Sequence, residues 1–339
     1  MSNTILILGG TGLIGQTIHK MISERNPKIS CLIGTRRNRN DKNYIQVDVD
    51  DLNTFEKLET HSFNLIIVCV KDKHNNALNY AIKHKIDYID VTKPTPELMR
   101  AYSSIDKNST GNKIVFSSGW MSGITPLILY ATGVSNNEIK QVKIVIYYST
   151  KDKAGKSSAD FMAENVSKPF VVYENNLAVQ TKHFLEQEEH IFNFDLQKRK
   201  IFDIDIPDLF ILNQIEKIPT VKAKVTFNSK LVTSALAFMQ KISFFKILIY
   251  RERKLIFGGS GKGDISAFEV VFSNHKSQER KICVKSEGGQ SELTAFSTVL
   301  HVEKMLENSN PTGVYFSHQL HDPKTFVKLL TSNQSITIQ

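Results

Sequence analysis

A strand, a glycine-rich turn and a helix in direct succession constrain this chain more than any other feature. Apolar residues 4–8 lead into the sequence GGTGLIG at 9–15, and helical spacing of apolar residues continues to Glu24. Glycines 10, 12 and 15 match G-x-G-x-x-G, and glycines 9, 12 and 15 match a G-x-x-G-x-x-G variant. In such a unit the glycines make a tight turn, let the backbone approach a pyrophosphate and pack the helix against the strand.

We therefore expect a dinucleotide-binding site at this turn, because a helix start offers free N–H groups and a positive dipole end to phosphates. The alternative is a strand–helix turn that binds nothing. The residues expected to contact the cofactor here are Gly9, Gly10, Thr11, Gly12, Leu13, Ile14 and Gly15.

Length and cysteine content fit a two-domain protein without disulfides. A chain of 339 residues is longer than one hydrophobic core usually supports. The three cysteines, Cys31, Cys69 and Cys283, are far apart, and the N-terminus enters the strand without a signal peptide. We expect a cytoplasmic protein, since thiols stay reduced in that compartment.

The net charge of +9 comes from lysines and arginines that are scattered along the chain. A solvated basic surface and the steering of an anionic cofactor or substrate both fit this pattern. No nucleic-acid-binding motif accompanies the charge, so we expect a small anionic substrate and no nucleic acid partner.

The most apolar later stretch, residues 231–250, contains Gln240, Lys241 and Lys246, which a membrane-spanning helix rarely carries. We expect a buried or interface helix and no stable membrane span, with attachment to a membrane surface as the alternative. This segment and the exposed strands are consistent with self-association as a homodimer.

Strand and helix patterns alternate over the first 120 residues. Apolar strand runs lie at 5–8, 29–33, 44–47, 65–70, 86–91 and 113–116, and helical patterns lie at 13–24, 75–84 and 94–105. Continuous apolar strands separated by helices indicate an α/β fold with a doubly wound parallel sheet, a Rossmann domain.

The pattern changes after Gly123. Strand candidates then cluster without regular helices between them, at 141–148, 170–173, 191–194, 201–204, 221–227, 267–272 and 281–285, and helical spacing returns at 292–306 and 323–330. This predicts a second α+β domain with a mixed or antiparallel sheet. We place the dinucleotide-binding domain at 1–124 and a domain for substrate binding or oligomerisation at 125–290. The segment 291–339 is expected to pack back on the first domain.

The residues after the second strand distinguish NAD from NADP. An NAD site has Asp or Glu there to hold the ribose 2′-hydroxyl, whereas this chain has Thr35, Arg36 and Arg37, with no carboxylate before Asp41. Two guanidinium groups suit a 2′-phosphate, and Thr35 adds a hydroxyl. We therefore expect NADP as the cofactor, with a solvated basic turn as the alternative.

Topology adds further cofactor contacts, because ligands of such sheets lie beyond the carboxyl ends of the strands. Asp48 ends the third strand, where residues commonly approach the adenine. Val70 and Lys71 end the fourth strand, where we expect the nicotinamide ribose.

Segments after strands four, five and six are expected to converge on the nicotinamide. Asp90 is positioned to orient a ribose, a lysine or a water, or else to cap the helix that Pro94 opens. Lys93 is positioned to bind a substrate carboxylate or to donate a proton, unless it is solvated. Trp120, the only tryptophan, either walls the substrate pocket or packs in the core. We take Lys93, Asp90 and Trp120 as catalytic candidates, and His74 as a weaker acid–base candidate.

Two other patterns lack a supporting context. Tyr147 and Lys151 match the Tyr-x-x-x-Lys pair of short-chain dehydrogenases, but that pair needs one helical turn, and residues 142–148 have the composition of a strand. His318 and His321 have a spacing that suits a metal on a helix, but no ligand-forming residue except Asp322 lies beside them. We expect no metal site.

Four motifs follow one another along the chain: the turn at 9–15, YIDVT at 88–92, GWMSGITP at 119–126, and Gly-Val at 313–314 with Asp-Pro at 322–323. In this order they resemble the saccharopine dehydrogenase-like oxidoreductases over nearly the whole chain. The resemblance implies a Rossmann domain and an α/β domain with a mixed sheet. It also implies NAD(P)H-dependent reduction of a C=N bond between an amino acid and a keto acid or aldehyde, or the reverse. Lys93-Pro94 and Ser122-Gly123 depart from the family's frequent Gly-Glu and Pro-Gly, so specificity is not carried over.

We therefore expect an NADP-dependent oxidoreductase that acts on a C–N bond of an amino-acid-derived substrate. One alternative is an atypical short-chain dehydrogenase that reduces a carbonyl, which needs Tyr147 and Lys151. The other is a non-catalytic NADP-binding sensor, which keeps the glycine-rich turn and lacks the chemistry.

Overall fold

The computed structural model describes residues 3–107, 110–152, 155–258, 261, 263–307 and 309–339. Backbone contacts divide the chain into two compact units. The first unit comprises Met1–Ile124 and Ser291–Asp322, and the second comprises Thr125–Gln290 and Pro323–Gln339.

Strands and helices alternate in the first unit, whereas strands dominate the second. The strands are β1 (Thr4–Leu8), β2 (Ser30–Thr35), β3 (Tyr44–Gln46), β4 (Leu65–Val68), β5 (Asp87–Asp90), β6 (Lys113–Phe116), β7 (Ile139–Tyr148), β8 (Pro169–Glu174), β9 (Leu177–Lys182), β10 (Glu188–Ile191), β11 (Lys198–Asp203), β12 (Thr220–Phe227), β13 (Ser266–Asn274), β14 (Glu279–Ser286), β15 (Gly313–Phe316) and β16 (Ile336–Ile338). The α-helices are α1 (Leu13–Arg25), α2 (Asn76–His84), α3 (Thr95–Ser104), α4 (Trp120–Gly123), α5 (Thr125–Ala131), α6 (Lys156–Asn165), α7 (Asp208–Phe210), α8 (Lys230–Lys241), α9 (Phe244–Ile247), α10 (Tyr250–Phe257), α11 (Gly289–Leu306) and α12 (Pro323–Thr331).

The first unit contains a parallel sheet of seven strands in the order β15-β6-β5-β4-β1-β2-β3. Six of these strands have the order 3-2-1-4-5-6 of a Rossmann domain, and the direction of strand order reverses between β1 and β4. The predicted α/β fold with a doubly wound parallel sheet is confirmed. The seventh strand, β15, is one that the sequence pattern did not predict.

The core of the first unit explains why residues far apart in sequence belong to it. Ile5 and Ile7 of β1 are fully buried and share one apolar cluster with Ala295, Val299 and Val302 of α11. Since β1 is apolar along its length, both faces of the strand need cover. The segment 291–322 therefore completes the core of the N-terminal sheet.

The second unit contains a mixed sheet in the order β10-β11-β12-β7-β13-β14-β16, with β8 and β9 attached at β12. Only the pairing of β12 with β7 is parallel among the described strands of this sheet. The predicted second domain with a mixed sheet is confirmed.

The last seventeen residues belong to the second unit, whereas the sequence pattern predicts that all of 291–339 packs on the first. Helix α12 packs against α5, and β16 pairs with β14 of the mixed sheet. Hydrogen bonding of β16 at an otherwise open strand edge accounts for this placement, because a strand edge needs a partner for its N–H and C=O groups.

Two sequence predictions about strands in the second unit were wrong or incomplete. A strand is predicted at 191–194, but the observed strand, β10, covers Glu188–Ile191. The chain turns after it, since Phe194 and Asp195 have φ of 57° and 59°, values that do not occur in a regular strand. Strand β9 was missed because its first four residues are all exposed, so it shows no alternation of apolar and polar residues.

The expected single helix at 231–250 was also wrong. The segment forms α8 and α9, with Ser243 in the left-handed conformation between them, and α10 begins at Tyr250. Much of its apolar surface is exposed within this chain, including Leu231 and Ile247, so it is not a buried helix. Across the described residues no helix combines the length and apolar character needed to cross a membrane.

Candidate functional site

The glycine-rich turn lies between β1 and α1, and its backbone leaves no space for side chains on the sheet side. Gly9 has φ +79°, and a Cβ there would overlap Cγ1 of Val70. A Cβ on Gly15 would lie 2.7 Å from the Gly10 Cα and would overlap the Gly9 carbonyl oxygen. These two positions require glycine, one for its left-handed backbone and the other for the close approach of helix to turn.

The opposite side of the turn is open. Gly12 is exposed and precedes the first residue of α1, and no side chain in the described chain caps this helix start. The N–H groups of the first turn have no acceptor within the helix, and no acidic residue lies there. Gln16 Nε2 donates to Thr11 O at 3.1 Å and fixes the loop. The arrangement fits an anionic group such as a pyrophosphate.

The two arginines after β2 are exposed, and neither forms an ion pair within the described part of the chain. Two hydrogen bonds hold the backbone of the turn that carries them. Arg37 N donates to Thr35 Oγ1 at 3.4 Å, and Gln46 Nε2 donates to Arg36 O at 3.3 Å. Arg39 instead stacks on the ring of Tyr44. The guanidinium groups of Arg36 and Arg37 therefore remain available to a phosphate.

Of the other predicted cofactor contacts, the structure brings Val70 directly beside Gly9. Lys71 forms an ion pair with Glu97 at 3.4 Å, so its charge is partly balanced inside the protein. The Asp48 carboxylate accepts the Asp50 N–H at 3.1 Å, which is a local turn contact.

A buried cluster of charged groups lies after β4 and β5, and it contains two of the three catalytic candidates. Asp90 is 1% exposed and Lys93 is 4% exposed. Lys93 Nζ donates to the carbonyl oxygen of Asp72 at 3.5 Å, and Asp72 is itself buried. The Asp72 carboxylate accepts N–H groups from Asn76 and Ala77 at the start of α2. Lys93 is thus not the solvated lysine of the alternative interpretation.

Asp90 is held at both of its oxygen atoms. Oδ1 accepts the Ser117 N–H at 2.8 Å, and Oδ2 accepts the Tyr88 hydroxyl at 3.4 Å. It therefore does not cap α3. Burial raises the pKa of Asp90 to about 6, although the charge of Lys93 opposes the rise. Burial also raises the pKa of Asp72, and here too the positive charge of Lys93 acts in the opposite direction and lowers it. Asp90 can accordingly exchange a proton close to neutral pH.

The loop after β6 is strained at both ends. Ser117 and Ser122 have φ of 59° and 66°, unusual for residues other than glycine. Trp120 is buried in this loop and opens α4. Gly119 N donates to Val91 O at 2.7 Å, and Ser118 N donates to Asp90 O at 3.0 Å, so the loop is bonded to the end of β5.

Polar residues of α11 hold this loop, and the sequence interpretation missed them. Ser297 Oγ donates to Ser118 O at 2.8 Å, the Ser118 hydroxyl lies 3.1 Å from Thr298 Oγ1, and a His301 ring nitrogen lies 3.2 Å from Gly123 O. Residues 294, 297, 298 and 301 recur at helical spacing and so form a polar stripe within the otherwise apolar segment 293–302 of this helix. That stripe was the available signal, because a buried helix face carries polar groups when it has hydrogen-bond partners.

His301 also contacts His321, one of the two histidines whose spacing suits a metal ligand. Its Nδ1 lies 2.8 Å from His321 Nε2. Burial lowers the pKa of both rings, to about 4 for His321, which favours a neutral hydrogen-bonded pair. Among the described residues no group of three or more His, Cys, Asp or Glu side chains could hold a metal ion.

The remaining candidates lie apart from this cluster. His74 is exposed before α2. Tyr147 lies on β7 and is buried against Phe192, with ring centroids 5.7 Å apart, while Lys151 lies in the turn after the strand. The pair is not on a helix, so it lacks the one-turn geometry that short-chain dehydrogenase chemistry needs.

Comparison with known proteins shows which solved structures share this fold. Neither models of known protein families nor curated protein sequences gave a match. Among solved structures, the chain is similar to apo saccharopine dehydrogenase (L-Glu forming) from Saccharomyces cerevisiae, with a TM-score of 0.69, 12% identity and 99% of each chain covered. It is also similar to a substituted meso-dapdh with DAP from Clostridium tetani, with a TM-score of 0.46, 12% identity, and 96% of this chain and 95% of that chain covered. The expected resemblance is confirmed in the architecture: this chain has the fold of saccharopine dehydrogenase.

Proposed function

We propose that this chain is an NADP-dependent oxidoreductase that acts on a C–N bond of a small, anionic, amino-acid-derived substrate. The observation that carries the proposal is the pairing of a glycine cradle at β1–α1 with two exposed arginines, free of carboxylate partners in the described chain, after β2. The similarity to a saccharopine dehydrogenase over the whole chain supports the C–N substrate class.

The residues present fit the coenzyme. Gly9 and Gly15 occupy positions that a side chain would fill, and the start of α1 offers N–H groups to a pyrophosphate. Arg36 and Arg37 would hold a 2′-phosphate, and Val70 would border the nicotinamide side. When bound, the coenzyme supplies hydride transfer, and the protein supplies orientation and electrostatics.

The buried cluster would supply charge and proton exchange. Lys93 presents an ammonium group beside two carboxylates, Asp72 and Asp90, so its charge is balanced without solvent. Because the pKa of Asp90 is about 6, this carboxyl group can take up or release a proton as the substrate nitrogen changes charge.

The proposal is tested by titrating the purified chain with NADPH and NADH and following coenzyme fluorescence. We expect NADPH to bind at least about tenfold more tightly, since two guanidinium groups contact the added phosphate. Tighter binding of NADH would contradict the NADP assignment, and no binding of either coenzyme would contradict the function.

Turnover is then measured with pairs of amino acids and keto acids or aldehydes, by following the absorbance of the reduced coenzyme. Oxidation of NADPH that requires both members of a pair would support C–N chemistry. Oxidation with a carbonyl compound alone would favour a carbonyl reductase. Tight NADPH binding without turnover across the panel would favour the non-catalytic sensor.

A further inference from the structure

The second unit carries an exposed apolar stripe on α8. Leu231, Ala235, Phe238 and Ile242 are all exposed and recur at spacings of four, three and four residues, which place them on one side of the helix. Leu231 is 84% exposed, more than any other large apolar residue described. The opposite side, including Leu236, is buried. The apolar side of the helix therefore has no cover among the residues that the structure describes.

The following two helices also expose large apolar side chains. Ile247 of α9 is 77% exposed, Ile249 precedes α10, and Leu255 of α10 is 81% exposed. Helix α9 packs against α8, and α10 packs against α6. We call the set Leu231, Phe238, Ile242, Ile247, Ile249 and Leu255 the apolar face. A monomeric soluble protein rarely exposes so many large apolar side chains in one stretch unless they bind something.

The charged residues around the apolar face are almost all positive. Residues 230–257 contain six basic side chains and one acidic one, Glu252. Arg253 and Lys254 bond inward, to Ala163 O and to Asp160 of α6. The other four, Lys230, Lys241, Lys246 and Arg251, are exposed and form no ion pair within the described part of the chain.

Apolar side chains bordered by unpaired cations match the chemistry of an anionic lipid surface, in which acyl chains lie beneath negative headgroups. They match a second copy of this chain poorly. A twofold interface brings the same surface of each copy together, so the same cations would face each other. We propose that the apolar face docks this protein on the surface of an anionic lipid bilayer.

The helices involved suit binding in the plane of the interface. Helix α8 has 12 residues and α10 has 8, both too short to cross the hydrocarbon core. An amphipathic helix of this kind inserts its apolar side chains among the headgroups while its cations contact the lipid phosphates and carboxylates.

The test is flotation of the full chain with vesicles of phosphatidylcholine alone or of phosphatidylcholine with phosphatidylserine. We expect at least about tenfold more bound protein on the anionic vesicles, and release as salt is raised. The triple variant Leu231→Ser/Phe238→Ser/Ile242→Ser removes the stripe on α8. The variant Lys241→Glu/Lys246→Glu/Arg251→Glu reverses three cations without touching that stripe. Each is expected to abolish flotation while far-UV circular dichroism and NADPH binding stay unchanged.

The matched control is Leu177→Ser/Ile191→Ser, which replaces two exposed apolar residues on β9 and β10 and is expected to float like the wild type. Absence of flotation by the wild type would overturn the proposal. A loss of flotation in the control variant as large as in the α8 variant would also overturn it. A stable wild-type dimer that becomes monomeric in the α8 variant and does not bind vesicles would also overturn it, because a second copy would then be the occupant.

Discussion

The Asp90 carboxylate accepts the N–H of Ser117 at 2.8 Å, and this bond joins the carboxyl ends of β5 and β6. Ser117 adopts a φ of 59° in making it. The carboxylate thereby organises the loop that carries Trp120, and it lies close enough to Lys93 for their charges to interact. One buried side chain thus links the strained loop to the cationic group of the candidate site.

The substitution Asp90→Asn is expected to change how stability depends on pH. Because folding raises the pKa of Asp90 from 3.8 to about 6, the folded protein holds this proton more tightly than the unfolded chain. The wild type therefore loses stability as pH rises from about 4 to 6. The free energy of unfolding of the variant relative to the wild type should rise by about 2–3 kcal/mol across this window.

Urea denaturation at a series of pH values measures this difference. Asp50→Asn, at an exposed site, is the control and should track the wild type at every pH. A pH-independent difference between Asp90→Asn and the wild type would contradict the raised pKa.

The substitution Gly15→Ala is expected to distort the glycine-rich turn. A Cβ at this position would lie 2.7 Å from the Gly10 Cα and overlap the Gly9 carbonyl oxygen, and both are backbone atoms that cannot rotate away. We expect a loss of about 1–3 kcal/mol in stability, as for other overpacked sites, and a large loss of NADPH affinity. Thermal unfolding and fluorescence titration measure the two effects.

Gly155→Ala provides the comparison, because nothing lies within 4 Å of the added Cβ there. This variant should bind NADPH normally. If Gly15→Ala also kept its affinity, the turn could not be the pyrophosphate site.

The double substitution Arg36→Gln/Arg37→Gln is expected to weaken NADPH binding roughly 10- to 100-fold, the usual effect of losing charge-assisted hydrogen bonds to a phosphate. Affinity for NADH should change little, because NADH has no 2′-phosphate. Both affinities are read from fluorescence titrations at fixed salt. Arg39→Gln is the control, since Arg39 stacks on Tyr44. Equal weakening of NADPH and NADH would indicate that the arginines do not contact the 2′-phosphate.

The substitution His321→Gln is expected to make the fold less sensitive to acid. The pKa of His321 falls from 6.5 to about 4 on burial, so the unfolded chain binds the proton more readily than the folded protein. Wild-type stability is therefore full above pH 6.5 and is lost as pH falls toward 4. The variant keeps a side-chain amide that can donate to His301, and it lacks the titrating ring.

Unfolding in urea between pH 7 and 4 should show a shallower decline for His321→Gln than for the wild type. His275→Gln, which replaces an exposed histidine, should decline in parallel with the wild type. Parallel decline of His321→Gln would contradict a neutral buried pair.

The sequence by itself determined the features that depend on neighbouring residues. The turn between β1 and α1 was predictable because the apolar strand, the glycines and the helix follow one another within about twenty residues. The position of Arg36 and Arg37 after β2 followed from the same pattern. Fold class was predictable too, since alternating buried strands and helices have few ways to cover both faces of a parallel sheet.

Only the tertiary structure decided which distant groups meet and which surfaces stay uncovered. Ser297 reaches the Ser118 carbonyl across 179 residues of chain, and His301 meets His321, because α11 returns to the first sheet. The apolar pattern of α8 is the same whether the helix is buried or exposed, so the exposure of Leu231 could not be read from it. The pKa of Asp90 likewise depends on burial and on Lys93, and both are set by packing rather than by the order of residues.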